Sequence, residues 1–319
     1  MISLQDVQAA KARISPYIVR TPLLRIPALD EALGYEVYLK FEGYQVMGAF
    51  KIRGAMNKAL SLSPEELAKG LVCASSGNHA QGVACAAQRL GTRSVIVMPT
   101  TAPAVKVDGV KSFGGEIELV GTLSSQREAR ANELAEKEGM VNIHPYADPY
   151  VAAGQGTMGL EILEDLPDVD AVAVPIGGGG MISGVSTAVK GLAPQVKTIG
   201  VEPAGAPRYS VSRAAGKPME LDKVDTIADG TRTDHANPDN FEMIQARVDE
   251  ICTVEDEFIR KAMYLLMTRA KITVEPSGAM PVAAALAGKL PVEKGAKVAF
   301  VLSGGNVDPK LAAEILANG

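Results

Sequence analysis

The sequence has no tryptophan and only three cysteines, and aromatic residues make up only 4% of it. Because Cys73, Cys85 and Cys252 form no Cys-x-x-Cys pair, we expect neither a disulfide framework nor a thiolate metal site. A chain with so few aromatic side chains offers few stacking surfaces for nucleic-acid bases. This composition fits a protein of a reducing compartment that handles small molecules.

An excess of basic residues is also missing. The formal net charge is -5 and the isoelectric point is about 5.4, which argues against a nucleic-acid partner because phosphates are neutralised by a basic face. No apolar run approaches membrane-spanning length, and the N-terminal segment MISLQDVQAAKARI is typical of an amphipathic helix instead of a targeting signal. We therefore expect a cytoplasmic protein with a small-molecule partner, without a membrane or nucleic-acid partner.

Short apolar runs alternate with longer Ala-rich helical stretches along the chain. Because buried strands are short and continuously apolar, this alternation predicts an α/β fold with a mostly parallel sheet and covering helices. The runs predicted as strands are LVCA (71–74), SVIVMP (94–99), EIELV (116–120), VDAVAVPI (169–176), KTIGVEP (197–203) and KVAFVLS (297–303).

One helix carries explicit signals at both of its ends. In SLSPEELAKG, Ser63 is a suitable N-cap, Pro64 suits the first helical position, and Gly70 suits the end of the helix. These signals place an element boundary directly before Leu71.

A run of four glycines follows the predicted strand 169–176. Glycines before a helix allow backbone N–H groups to turn toward an anion, and the helix N-terminus adds its positive end. The dinucleotide fingerprint needs a glycine at the sixth position, where counting from Gly177 gives Ile182. No Gly-Lys-Ser/Thr follows either. The run predicts a phosphate of another kind, with a tight packing turn as the alternative.

Two further loops follow predicted strands, SSGNHAQG (75–82) and LSGGNVD (302–308). Loops at the carboxyl ends of parallel strands converge in open α/β sheets. The first loop has two interpretations: it binds a carboxylate, or its polar residues only cap the N-terminus of the following helix. Lys51, in GAFKIRGAMNKAL, is either a solvated charge or a nucleophile. A phosphorylated aldehyde joined to an amino acid would bridge the phosphate and carboxylate sites, and it requires one lysine.

Five motifs carry a family resemblance in this order and spacing. The chain resembles the tryptophan-synthase-like, fold type II enzymes that use pyridoxal 5'-phosphate, and within them the serine/threonine dehydratase and serine racemase branch. The resemblance runs from the first helix to the end of the chain. Its motifs are KFEGYQVMGAFKIRGA, ASSGNHAQGVA, PIGGGGMISG, VEPSGA and LSGGN.

The resemblance implies a cofactor site and a substrate site. Lys51 is expected to form the Schiff base with the cofactor, Asn78 to hydrogen-bond its 3-hydroxyl group, and Ser303 to face its pyridine nitrogen. The remaining residues implied for the cofactor are Phe50 beside the lysine and, for the phosphate, Gly177, Gly178, Gly179, Gly180 and Met181. Those implied for the substrate are Ser75, Ser76, Asn78, His79 and Arg127.

The implied reaction is the α,β-elimination of L-threonine or L-serine to a 2-oxo acid and ammonia, with Lys51 removing the α-proton. Serine or hydroxyaspartate racemisation is the alternative, because Ser76 stands where racemases carry a second acid/base on the opposite face. The equally weighted alternative is that Ser76 only lines the anion-binding loop and has no acid/base role. A β-replacement transferase and a non-catalytic binding protein are further alternatives, and a colourless purified protein would favour the latter.

The sequence departs from the family pattern at three places. Met47-Gly48-Ala49 lacks the hydroxyl groups that the family has before its lysine. The segment Thr231-Arg232-Thr233 resembles the racemase side, where Arg232 would contact a second carboxylate.

The third departure concerns a divalent cation. Arg208 in VEPAGAPRY aligns with the second carboxylate of cation-activated relatives, whereas Glu202 and the carbonyl of Ala206 remain. A guanidinium is a poor neighbour for a hard cation. We therefore expect no strong metal site, and a pair between Glu202 and Arg208 instead.

The resemblance also implies two domains, a large one of residues 1–70 and 148–319 and a small mobile one of residues 71–147. The cofactor is expected between them, and closure of the small domain would exclude water. A homo-oligomer, dimer or tetramer, is expected from the family. Because the last motif lies near residue 319, a separate regulatory domain is not expected.

Overall fold

The computed structural model describes residues 1–318 and contains two sheets surrounded by helices. The strands are β1 (Leu23–Arg25), β2 (Glu36–Phe41), β3 (Leu71–Ala74), β4 (Ser94–Met98), β5 (Glu116–Leu119), β6 (Val141–Asn142), β7 (Ala171–Pro175), β8 (Lys197–Pro203), β9 (Glu250–Val254) and β10 (Lys297–Leu302). The helices are α1 (Leu4–Ile14), α2 (Asp30–Leu33), α3 (Lys51–Ala59), α4 (Pro64–Ala68), α5 (Asn78–Leu90), α6 (Ala104–Lys111), α7 (Ser124–Glu138), α8 (Pro149–Asp165), α9 (Gly180–Leu192), α10 (Arg208–Ala215), α11 (Pro238–Arg247), α12 (Asp256–Leu265), α13 (Pro276–Leu286) and α14 (Pro309–Asn318).

The larger sheet has six strands in the order β1-β2-β10-β7-β8-β9, and the smaller has four in the order β5-β4-β3-β6. Every neighbouring pair is parallel except β1 and β2, which are antiparallel. Parallel sheets are buried on both faces because their crossover helices cover them. The α/β class and the mostly parallel sheets expected from the sequence are confirmed.

Alternate residues of the central strands pack against different helices. On β10, Val298 and Phe300 face a core shared with α12 and α13, whereas Ala299 and Val301 face a core shared with α8 and α9. This period of two is the geometry of a strand, whose successive side chains point to opposite faces. It explains why these runs are apolar at every position, and it places helices on both faces of the sheet.

The smaller sheet is also covered on both faces. Leu71 and Cys73 pack toward α5, whereas Val72 packs toward α7. Its strands fall within residues 71–147, the range predicted for a small domain. The domain boundaries stay a prediction, and Gly319, the last residue of the predicted large domain, lies outside the described residues.

The helix predicted before Leu71 is present as α4. Ser63 Oγ accepts the backbone N–H of Glu66, and the Glu66 carboxylate accepts the backbone N–H of Ser63. This reciprocal capping box satisfies two amide groups that a helix start otherwise leaves without partners. Among the helices of residues 1–318, none combines the length and apolar character required to cross a lipid bilayer.

Candidate active site

The lysine motif and the last glycine motif lie side by side. The backbone N–H of Phe50 donates to the Ser303 carbonyl at 3.0 Å, and Gly305 N–H donates to the Gly48 carbonyl at 2.9 Å. Gly48 has a φ of +77°, and a Cβ there would lie 2.5 Å from Asn306 Oδ1, so no side chain fits at this crossing. The start of α3, and with it Lys51, is therefore tied to the carboxyl end of β10.

Lys51 is the first residue of α3, and protein surrounds its amino group. Nζ donates to the Pro145 carbonyl at 2.9 Å and lies 5.0 Å from the centre of the Phe50 ring. Burial lowers the pKa of Lys51 to about 8, because a low-dielectric environment disfavours the ammonium form, while the nearby Glu275 opposes this shift. With this pKa about one lysine in ten is uncharged at pH 7, so Lys51 is available as a nucleophile and a base.

The first two carbonyl groups of the glycine run accept hydrogen bonds from side chains. The Gly177 carbonyl accepts from the Arg208 guanidinium at 2.6 Å, and the Gly178 carbonyl accepts from Tyr209 Oη and from Asn240 Nδ2, each at 2.8 Å. The C=O and N–H of a trans peptide point in opposite directions. The N–H groups that follow these carbonyls are therefore turned to the other side, beside the N-terminus of α9, where an anion binds well.

Glycine is required along this run for steric reasons. Gly179 has a φ of +90°, which side chains with a Cβ rarely adopt. A Cβ on Gly178 would lie 2.2 Å from the Tyr146 ring, and one on Gly180 would lie 2.9 Å from the Tyr146 carbonyl. Because no side chain fits at these positions, the backbone N–H groups stay accessible to a phosphate. The residues present therefore fit a phosphorylated cofactor that is joined to Lys51.

The Ser75 to His79 segment forms the N-terminus of α5. Gly77 is the residue before the helix, and the Ser75 hydroxyl accepts the Gly77 N–H at 3.4 Å. Among the described residues, the Ser76 side chain has no hydrogen-bond partner. The first amide groups of a helix lack intrahelical partners and attract a carboxylate. The segment is suited to hold the carboxylate of an amino acid.

The imidazole of His79 does not take part in this carboxylate site. It is only 3% exposed, and Nε2 lies 2.7 Å from the Ile143 carbonyl. Burial lowers the pKa of His79 to about 3, so the ring is neutral and Nε2–H donates inward. The core formed by α5 and the smaller sheet holds the ring, so the predicted contact of His79 with the substrate stays a prediction for its backbone N–H alone. Its backbone N–H remains at the helix start.

We expect His79 to make the protein acid-sensitive. The unfolded chain protonates this histidine below its ordinary pKa of 6.5 while the folded chain does not, so stability is lost as the pH falls below 6.5. At pH 5 the loss amounts to about 2 kcal/mol. Urea unfolding at pH 7.5 and pH 5 is expected to show this loss in the wild type and a smaller one in His79→Gln.

The exposed His235 provides the control for this experiment. His235→Gln is expected to keep the full pH dependence of the wild type. Comparing each variant with itself at the two pH values removes the general cost of the substitution. Equal pH dependence in His79→Gln and the wild type would show that His79 takes up a proton without unfolding.

Asn78, Ser303 and the buried Glu275 lie together. Asn78 Nδ2 donates to both Glu275 carboxylate oxygens, at 3.0 and 2.9 Å, and Ser303 Oγ lies 3.4 Å from Glu275 Oε1. Asn78 Oδ1 accepts from Asn306 Nδ2 at 2.9 Å. The two residues predicted to contact the cofactor ring are therefore neighbours. Both Glu275 and Asn306 belong to the family motifs, VEPSGA and LSGGN. From the sequence, Glu275 has two interpretations, a residue that orients the cofactor environment or one that complements the N-terminus of α13, whereas no role was predicted for Asn306.

The expected pair between Glu202 and Arg208 is wrong. The Glu202 carboxylate accepts the backbone N–H groups of Tyr209 and Ser210, at 2.9 and 2.8 Å. The Arg208 guanidinium instead donates to the carbonyls of Gly177, Ala206 and Thr231 and to the Thr233 hydroxyl. The first amide groups of α10 satisfy the carboxylate, and loop carbonyls satisfy the guanidinium, so the two side chains do not meet.

Two other arginines named in the sequence analysis form hydrogen bonds with residues near them in the sequence. Arg127 donates to the Thr122 carbonyl and the Ser124 hydroxyl, at 3.1 and 2.9 Å, and Arg232 donates to the Thr226 carbonyl. Within residues 1–318, neither donates to the Ser75 to His79 segment. Over the same residues, no three His, Cys, Asp or Glu side chains are grouped as a metal centre requires.

Comparison with known proteins supports the same chemistry. The family model described as pyridoxal-phosphate dependent enzyme matches residues 14–304. The L-threonine ammonia-lyase of Thermotoga maritima is 45% identical over 319 residues, covering 100% of this chain and 79% of that protein. The processed form of threonine deaminase isoform 2 from Solanum lycopersicum has a TM-score of 0.94 and 39% identity, covering 99% of this chain and 92% of its own.

Maize serine racemase is similar as well, with a TM-score of 0.94 and 39% identity over 99% of this chain and 97% of its own. The resemblance to these enzymes therefore extends through the sequence and the fold alike. It covers 99% of this chain in both structures. This chain belongs to the family of pyridoxal-phosphate-dependent enzymes of fold type II.

Proposed function

We propose that the protein is an ammonia-lyase that converts L-threonine or L-serine to the 2-oxo acid and ammonia. The observation that carries this proposal is the arrangement of the buried Lys51, whose pKa is lowered to about 8, with the glycine cradle and the α5 N-terminus. The 45% identity to an L-threonine ammonia-lyase over the full chain supports the same reaction.

Each part of the site has a role in this reaction. The N–H groups of the glycine run hold the phosphate, and those at the start of α5 hold the substrate carboxylate. The bound pyridoxal phosphate supplies an electron sink that makes the α-hydrogen acidic. Lys51 Nζ accepts the α-proton, because burial lowers its pKa to about 8 and leaves it partly uncharged at neutral pH. The β-hydroxyl group takes up a proton and leaves as water, and one water molecule then hydrolyses the released enamine to the oxo acid and ammonia.

A racemase is the second candidate, and one residue favours it. The Ser76 hydroxyl has no hydrogen-bond partner among residues 1–318 and stands at the start of α5, so it is free to exchange a proton with a substrate. Racemisation requires acid/base groups on both faces of the α-carbon. Serine racemase from maize, at 39% identity, belongs to the same group of relatives.

A product assay with matched variants tests the proposal. Purified protein is incubated with L-serine, L-threonine and L-threo-3-hydroxyaspartate, and the oxo acid, ammonia and D-enantiomer are quantified in each sample. We expect equal amounts of oxo acid and ammonia from L-threonine or L-serine and no D-enantiomer, with the same products from Ser76→Ala. D-serine that disappears in Ser76→Ala would replace the lyase by a racemase. The homo-oligomeric state and the cytoplasmic location remain predictions.

A further inference from the structure

Glu275 carries a buried carboxyl group that forms no ion pair within residues 1–318. It is 5% exposed and precedes the first residue of α13, and its own side chain does not cap that helix. Its partners among the described residues are the Asn78 amide, at 3.0 and 2.9 Å, and the Ser303 hydroxyl, at 3.4 Å. A buried carboxylate with two neutral partners is costly, so an ionised Glu275 needs a reason beyond stability.

The charged groups around Glu275 do not hold it ionised. The pKa of Glu275 is raised to about 7, mainly because burial disfavours the charged form; the charge of Asp229 also raises this pKa, and the charge of Lys106 lowers it. Hydrogen bonds from Asn78 and Ser303 also lower this pKa. Lys51 is the third charged neighbour, since the charge of Glu275 raises the pKa of the lysine. The carboxyl group therefore gains or loses a proton near neutral pH.

The position of that proton has a consequence for Ser303. An ionised Glu275 only accepts, so the Ser303 hydroxyl points its hydrogen toward Oε1 and its lone pairs face away. A protonated Glu275 is able to donate to Ser303, which frees the serine hydrogen for another acceptor. The Asn78 amide keeps its orientation in both states of Glu275. Asn306 Nδ2 donates to Asn78 Oδ1 at 2.9 Å, so the Asn78 amide nitrogen stays directed at Glu275.

We propose that Glu275 is a positioning residue of the cofactor site, whose proton sets the direction of the Ser303 hydrogen bond while its oxygens hold the Asn78 amide. The proton is exchanged with solvent water, and no other bond is made or broken. Ser303 is the residue expected to face the ring nitrogen of the cofactor. The protonation state of Glu275 therefore affects the ring through the orientation of one hydroxyl group, that of Ser303.

The test is a pH titration of the absorbance of the bound cofactor between pH 5 and pH 9. The wild-type holoenzyme is expected to show a one-proton step with a midpoint of about 7. Glu275→Gln preserves the shape but does not titrate, so this step is expected to disappear. Glu255 also precedes a helix but is exposed and paired with Lys289, and Glu255→Gln is expected to keep the step.

A second variant separates the proton from the shape of the side chain. Glu275→Asp keeps a titrating carboxyl group, and its step is expected to shift but to remain. If Glu275 had only a structural role, its proton would not affect the cofactor. Glu275→Gln would then show the same pH dependence of the absorbance as the wild type. The proposal is overturned if the wild type has no step in this range, or if Glu275→Gln keeps the wild-type midpoint. The readout does not depend on which amino acid is converted, so failure of the proposed deamination would be seen separately.

Discussion

Replacing Lys51 with alanine is expected to reduce the rate of L-threonine deamination by at least about 10³-fold. The variant loses both the amino group that binds the cofactor covalently and the base that accepts the α-proton. The glycine cradle remains, so pyridoxal phosphate still binds but its absorbance changes to that of the unlinked form. Steady-state rates of oxo-acid formation and an absorbance spectrum of the dialysed protein measure the two effects.

Lys58 provides the matched control for Lys51. It lies on the same helix, α3, and pairs with Asp148 at 3.1 Å. Because the effect of a partly exposed ion pair is small, Lys58→Ala is expected to keep the activity and the absorbance of the wild type. A Lys51→Ala variant that kept more than roughly a tenth of the wild-type rate would contradict the role given to Lys51.

Replacing Gly179 with alanine is expected to weaken cofactor binding strongly. The residue has a φ of +90°, and an added Cβ would lie 2.5 Å from Tyr209 Oη. Strain and overpacking together cost about 2–4 kcal/mol. The glycine run relaxes in the free protein and must be restored on binding, so the Kd for pyridoxal phosphate rises by about 30- to 10³-fold. Titration of the apoenzyme with the cofactor measures this change.

The control for Gly179 has the same backbone conformation in open space. Gly288 has a φ of +66°, and a Cβ there meets nothing within 4 Å. Gly288→Ala is expected to lower stability slightly and to leave the Kd for the cofactor unchanged. High concentrations of pyridoxal phosphate are expected to restore part of the activity of Gly179→Ala. An unchanged Kd in Gly179→Ala would mean that the glycine run does not hold the phosphate.

The sequence predicted those features that depend on neighbouring residues. Continuous apolar runs predicted six of the strands, and two of them, 71–74 and 197–203, have the same bounds in the structure. The capping signals around Ser63 predicted α4 because a helix start needs partners for its first amide groups. Four strands were not predicted. The strands β1 and β6 have only three and two residues, which carry too little periodicity, and β2 (EVYLKF) and β9 (EICTV) contain charged or polar residues that interrupt an apolar run.

Contacts between distant residues were harder to predict. The sequence motifs placed Lys51 beside the glycine loops, but they did not indicate that Arg208 and Asn240 hold the carbonyls of the glycine run, across 31 and 62 positions. The contact of Glu275 with Asn78 spans 197 positions. The motif also did not indicate that the ring of His79 is buried and bound to the Ile143 carbonyl. A motif indicates which residue types are present, whereas side-chain direction depends on packing.

The central claim is that Lys51 holds pyridoxal phosphate over the glycine run. The most direct test is to reduce the purified holoenzyme with borohydride, digest it and identify the modified peptide by mass spectrometry. The account predicts that the reduced cofactor is attached to Lys51, on the peptide that contains this residue, and to no other lysine. A cofactor recovered on a different lysine, or no covalent adduct in a protein that deaminates L-threonine, would contradict it.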